Sequence, residues 1–141
     1  IGKPSGIVIH HSLTKDGNTE SWTSIKKYHV ETLGWADIGY HGGCEIVDGK
    51  MRGFDGRPID TIGGHTVGRN NMLGFCFVGN FDSSAPSDEM LIYGAQYVAG
   101  WCRMFDLSID KLHKHSETAP KTCPGTSFPW DKFLTLVKRY I

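Results

Sequence analysis

The chain has no surplus of either charge. Its 15 basic and 15 acidic side chains give a formal net charge of +0 over 141 residues. Nucleic-acid binders normally carry a clustered basic excess, so nothing here argues for that class of partner. No apolar run approaches the ~20 residues that a membrane-spanning helix needs. Internal repeats, low-complexity tracts and any stretch built like a secretory signal are also missing. Cysteine is sparse: Cys44, Cys76, Cys102 and Cys123 stand singly, with no Cys-x-x-Cys pair. A chain of this length buries an adequate core without covalent staples. The four thiols therefore read as free and buried, with Cys44 and Cys76 the first pair to test for a disulfide.

The length suits one domain, residues 1–141. The first residue is Ile rather than Met, as expected of a domain trimmed from something longer.

What the chain does have is histidine, seven in all. Imidazole is both a metal ligand and a proton carrier near neutral pH. Two histidines follow the β-branched run Ile7-Val8-Ile9, which reads as a buried strand ending at His10-His11. Strand side chains alternate in direction, so only one of the two faces a given site. Ser21 precedes a helical pattern to about Leu33, with Ile25, Tyr28, His29 and Leu33 on one face and Gly34 as the stop. His29 on that face reads as a hydrogen-bonded packing residue.

The loop Gly34 to Gly43 is rich in Gly yet carries Trp35, Tyr40 and His41, a costly segment to order and so a functional candidate. Cys44 to Met51 reads as a hairpin about Asp48-Gly49. Arg52 to Asn71 reads as a long polar loop containing His65. Leu73 to Phe81 is nearly all apolar, as a strand covered on both faces should be. Ser87, followed by Asp88 and Glu89, caps a helix to about 105 with Leu91, Ala95, Val98, Cys102 and Phe105 as its buried stripe. Lys111 to His115 reads as another strand. Asp131 to Tyr140, with Phe133, Leu134 and Val137, closes the chain as a helix. Strands and helices interleave, so the expected class is α/β with a central mixed sheet flanked by helices.

The segment from His113 to Gly125 holds a histidine and a cysteine eight residues apart, with Lys121 two residues before the cysteine. Imidazole and thiolate are good zinc ligands, and zinc wants about four donors. A third protein ligand must come from elsewhere, and Ile7 to Ser12 supplies a candidate.

Three motifs then stand in order: IVIHHS at the first strand, GWADIGYH in the middle and HSETAPKTCPG near the end. A further stretch, GRPIDTIGGHTVGRNNMLGFCFVGNF, lies between the last two. On these the chain resembles the zinc-dependent N-acetylmuramoyl-L-alanine amidases of type 2, the family that includes phage amidase-type lysozymes and animal peptidoglycan recognition proteins. The resemblance runs from about Ile7 to the last helix. It implies His10, His115 and Cys123 as zinc ligands, one zinc ion per chain, and Tyr40 and Lys121 as the catalytic pair. Relatives that bind peptidoglycan without cutting it typically lack the cysteine, which is present here. The chain departs from the common pattern after Tyr40-His41, where Gly42-Gly43 stand in place of an aromatic residue and a strand.

The chemistry of the residues agrees with that implication. Three protein ligands leave a fourth position for water, the arrangement of a catalytic site. A lysine tethered beside a ligand can serve as a donor to an oxyanion, and a phenol can position water or pass a proton. Of the other histidines, His113 shares strand parity with His115 and is the one candidate for a fourth, structural ligand. His11 should point away from His10. His41 and His65 read as groups behind the ligands or against the substrate, and Arg57 and Asn71 as further candidates for substrate contact. The expected activity is hydrolysis of the bond between N-acetylmuramic acid and L-alanine in peptidoglycan. The expected setting is a monomeric phage or prophage endolysin, held in the host cytoplasm before it reaches the cell wall. The competing expectation is a non-catalytic peptidoglycan-recognition module, which should hold no stoichiometric metal.

Overall fold

A computed structural model describes residues 3–14 and 21–141. Its five strands are β1 (Ile7–His11), β2 (Gly42–Val47), β3 (Lys50–Asp55), β4 (Leu73–Phe77) and β5 (Leu112–Lys114). They form one sheet in the order β3-β2-β4-β1-β5. Only the β2–β3 hairpin is antiparallel. The pairings of β1 with β4 and β5, and of β2 with β4, are parallel. The sheet is mixed, as the interleaved pattern implied.

Alternation along β1 and β4 divides the molecule. Ile7, Ile9, Leu73, Phe75 and Phe77 enter the main core, beneath the helices α2 (Asp88–Phe105) and α3 (Trp130–Tyr140). The residues between them point to the opposite face. There Trp22, Ile38, Cys76 and Val78 form a small second core, against which Tyr40 packs. His10 pairs in register with Cys76, so it falls on this second face. The strand parity that buries Ile9 therefore delivers His10 to the functional side.

Helix α2 follows its sequence signals. The Ser87 hydroxyl accepts from Met90 N–H at 3.2 Å, and Asp88 and Glu89 occupy the first turn. Gly94 inside this helix has a packing cause, because a Cβ there would come within 2.2 Å of the Phe77 ring. In the hairpin, Asp48 and Gly49 take φ values of 56° and 76°, the left-handed pair that a tight two-residue turn requires.

Several elements differ from their sequence reading. Strand β3 continues to Asp55, so the long loop starts at Gly56, while β4 ends at Phe77. The first helix, α1 (Ser21–Lys27), passes into a π-helical segment, Tyr28–Thr32. The expected apolar face is only partly buried: Tyr28 is 54% and Leu33 43% exposed, while Ile25 packs against the second core and Trp22 is the buried anchor. Gly42 and Gly43 open β2 rather than interrupting it. The Trp22 ring lies over Gly43, where a Cβ would meet it at 2.4 Å. The four cysteines are free. Cys44 belongs to the main core and Cys76 to the second, on opposite faces of the sheet.

A buried carboxylate secures α1. Glu45 on β2 is 1% exposed and accepts from Ser21 N–H at 2.8 Å and Trp22 N–H at 3.1 Å. It thus caps a helix remote in sequence, and a negative group suits that end. Glu45→Gln would turn one acceptor into a donor facing an N–H. We expect a loss of about 1–3 kcal/mol, the cost of a buried unsatisfied polar group. Denaturant unfolding would measure it, and an unchanged midpoint would mean that the cap contributes nothing.

Candidate metal centre

The site lies at the carboxyl ends of adjacent parallel strands, where open α/β sheets usually bind ligands. His10 is near the end of β1. His115 opens a 3₁₀ turn, His115–Glu117, immediately after β5, the neighbour of β1. Cys123 arrives from the following loop, whose Cys123 carbonyl accepts from Ser116 N–H at 2.9 Å. One candidate donor atom from each of His10, His115 and Cys123 falls within 4.8 Å of the others. His10 Nδ1 and Cys123 Sγ are 3.7 Å apart. Tetrahedral zinc with ordinary bond lengths sets its nitrogen and sulfur ligands about 3.5 Å apart, so these residues fit the ion.

The protonation states suit ligation. Burial above all, then the fields of His65, His115 and Lys121, hold the His10 pKa well below that of a free imidazole. Burial and Lys121 lower that of His115. Both rings are therefore neutral at neutral pH, with a lone pair to offer. Burial pushes the Cys123 thiol up to about 11, against the opposing pull of the His11 N–H and Lys121. The His11 N–H lies 3.2 Å from the sulfur, ready to support a thiolate. A bound cation is what would stabilise the ionised form.

These groups line a cavity of about 530 Å³ together with Tyr40, His65 and Lys121. The Tyr40 ring stands 5.1 Å from that of His10. Burial is the main reason its phenol pKa is raised well above normal, with the neighbouring Cys76 and Cys123 thiols adding to the effect. Lys121 is exposed on the cavity rim, close enough for its charge to depress both candidate ligand histidines.

His113 does not join this cluster. Its Nδ1 lies 3.0 Å from a Glu117 carboxylate oxygen. Because His115 begins a 3₁₀ turn, strand parity stops one residue too early to relate the two. His11 turns the other way, its Nδ1 accepting from Phe81 N–H at 3.1 Å. His29 packs as expected, its Nδ1 accepting from Gly39 N–H at 3.0 Å. Two expected substrate-contacting residues are not brought to the cavity. Arg57 spends its guanidinium on the carbonyls of Ile38 and Ile62, both at 2.8 Å, and lies over the Trp35 ring. Asn71 is exposed, and it is Asn70 that organises the loop: its Oδ1 accepts from His65 and Thr66 N–H, each at 2.8 Å.

His41 is locked by two bonds. Its Nε2–H donates to the Thr61 carbonyl at 2.8 Å, and its Nδ1 accepts from Gly74 N–H at 3.0 Å. Burial chiefly lowers its pKa from 6.5. The folded state thus binds the proton less readily than the unfolded state, so this contribution holds above pH 6.5 and is lost as pH falls below it. Thermal melting of the chelated protein should show stability falling on that acid side, and His41→Asn, which keeps an acceptor for Gly74 without a titrating ring, should flatten the slope. An equally steep acid limb in that variant would acquit His41.

The sequence pattern described as N-acetylmuramoyl-L-alanine amidase (Amidase_2) matches residues 2–126. The chain belongs to this amidase family. Peptidoglycan-recognition protein SC2 of Drosophila simulans is 26% identical to it, over 91% of this chain and 71% of that protein. Among solved structures, bumblebee PGRP-SA superposes with a TM-score of 0.78 at 29% identity, over 93% of this chain and 81% of that one. The endolysin amidase LysCS from Clostridium intestinale URNW shares the fold with a TM-score of 0.77 at 24% identity, over 96% of this chain and 84% of that one. The mixed sheet with flanking helices is thus the fold of this amidase and recognition-protein family. No described helix is long and apolar enough to cross a membrane.

Proposed function

We propose that this domain is a zinc-dependent N-acetylmuramoyl-L-alanine amidase. It would cleave the amide between the lactyl group of N-acetylmuramic acid and L-alanine in peptidoglycan. The observation that carries the reading is the convergence of His10, His115 and Cys123 in one cavity with Tyr40 and Lys121. The first three would hold one zinc ion per chain. When bound, zinc supplies Lewis acidity toward the amide carbonyl and lowers the pKa of a water to about 7.

The protein's own groups do the rest. The Lys121 ammonium, tethered two residues from Cys123, donates to the oxygen that gains charge as the amide becomes tetrahedral. The Tyr40 phenol stays protonated and so remains a donor, able to orient water or help a proton reach the departing amine. Neutral His10 and His115 keep their lone pairs for the metal.

The relatives named for peptidoglycan recognition support a second reading, a binding module without turnover. Digestion of purified sacculi, with mass analysis of the released fragments, separates the two. Free stem peptides beginning with L-alanine are expected. Binding to sacculi without release, by protein free of stoichiometric zinc, would replace the amidase with the recognition module. A neighbour of the same fold is described as an endolysin, and we place this domain in that setting, as a monomer acting on the bacterial cell wall.

A further inference from the structure

Behind the ligand His10 stands a second histidine whose bonds leave it only one tautomer. His65 Nε2 lies 3.0 Å from the Met72 carbonyl oxygen, which can only accept. Nε2 therefore carries the proton, and Nδ1 is left with a lone pair. That Nδ1 lies 3.0 Å from His10 Nε2 and 2.8 Å from the Thr66 hydroxyl. His10 Nε2 must then be the donor, with the Thr66 oxygen 3.1 Å away as a further acceptor. This fixes the His10 tautomer: Nε2 holds the hydrogen, and Nδ1, 3.7 Å from Cys123 Sγ, keeps its lone pair for the metal.

The relay is held from several sides. Asn70 grips the backbone N–H groups of His65 and Thr66. The His65 ring lies flat over Gly74 of β4, where any Cβ would come within 2.5 Å of it. A Cβ on Gly63 would meet the ring at the same distance. Both glycines thus leave the space that the ring occupies.

We propose that His65 is a positioning residue for the metal, which it serves by holding His10 in its Nδ1-ligating tautomer and orientation. This rests on the zinc reading above. Partners behind a ligand commonly govern affinity, because they fix the ring's direction and raise its basicity. A carbonyl or carboxylate usually fills that role directly; here a neutral imidazole passes the Met72 carbonyl's constraint on to His10.

The test is the affinity of the protein for zinc alone, by competition with a chromophoric chelator. His65→Phe keeps a ring over Gly74 but offers His10 no acceptor. Its zinc affinity should fall roughly 10–100-fold, the usual cost of losing such a partner. On a His10→Ala background the same change should cause no further loss, because His65 acts through His10. Two polar variants guard against a misfit of the Phe ring. His65→Asn returns an acceptor close to the Nδ1 position and should recover most of the affinity. His65→Gln keeps a group for Met72 but none for His10, and should stay weak. Melting of each chelated variant reports whether the fold is intact. Undiminished zinc affinity in His65→Phe, an equal loss on the His10→Ala background, or Gln outperforming Asn would each overturn the proposal. Wild-type protein that fails to bind zinc would instead overturn the metal reading beneath it.

Discussion

Cys123→Ser should leave a folded protein that neither retains zinc nor releases stem peptides. Serine has nearly the size of cysteine, but its hydroxyl does not ionise near neutral pH and is a far poorer zinc ligand than thiolate. Two imidazoles alone would remain, without the sulfur that balances the ion's charge. Losing several kcal/mol of charge stabilisation at the carbonyl costs about tenfold in rate for each 1.4 kcal/mol, so turnover should fall by roughly 10³-fold or more. The fold should persist, because Cys123 lies outside the main core formed beneath α2 and α3. Wild-type protein should melt higher with zinc than with chelator, since a ligand that binds only the folded state stabilises it. The variant should melt alike in both. Metal analysis, circular dichroism and sacculus digestion on the same sample give the result. Stoichiometric zinc with near-native turnover would remove Cys123 from the ligand set.

How far the sequence could be read depended on whether each feature was held locally. The α2 boundaries were legible because Ser87, Asp88 and Glu89 act within their own first turn. The hairpin was legible because Asp48-Gly49 answers a local backbone demand. Alternation in Ile7 to His11 separated His10 from His11 before any partner was known. Several of the features that escaped depend on distant residues. Glu45 caps a helix whose first residue is 24 positions earlier. Arg57 reads as a candidate for substrate contact until the carbonyls of Ile38 and Ile62 are seen around it. Asn71 is the candidate the sequence offers, and folding shows its neighbour Asn70 turned inward against the loop backbone. The π-helical segment at Tyr28–Thr32 departs from the period on which the helical-face reading relied. His115 was found by its spacing to Cys123, although the strand assigned to it ends at Lys114.

Lys121→Ala and Tyr40→Phe should separate catalysis from metal binding. Neither residue is among the three candidate ligands, so both variants should retain stoichiometric zinc. Lys121 is exposed at the rim, and removing it costs little packing. If it stabilises the developing oxyanion, kcat should fall roughly 10²–10³-fold, the usual cost of one such donor. Loss of a nearby positive charge also relieves the depression of the His10 and His115 pKa values, so any change in zinc affinity at acid pH should run toward easier proton competition. Tyr40→Phe keeps the ring against His10 and Trp22 and deletes only the hydroxyl. A loss of about 10²-fold would fit a group that orients water or transfers a proton. KM should change little in either variant, because an interaction made only in the transition state does not hold the ground state. Metal content must be read beside kcat. Full activity in Tyr40→Phe would make Tyr40 a packing residue. Zinc lost at neutral pH from Lys121→Ala would mean that the lysine orders the loop carrying Cys123, and its role in the reaction would pass to another donor.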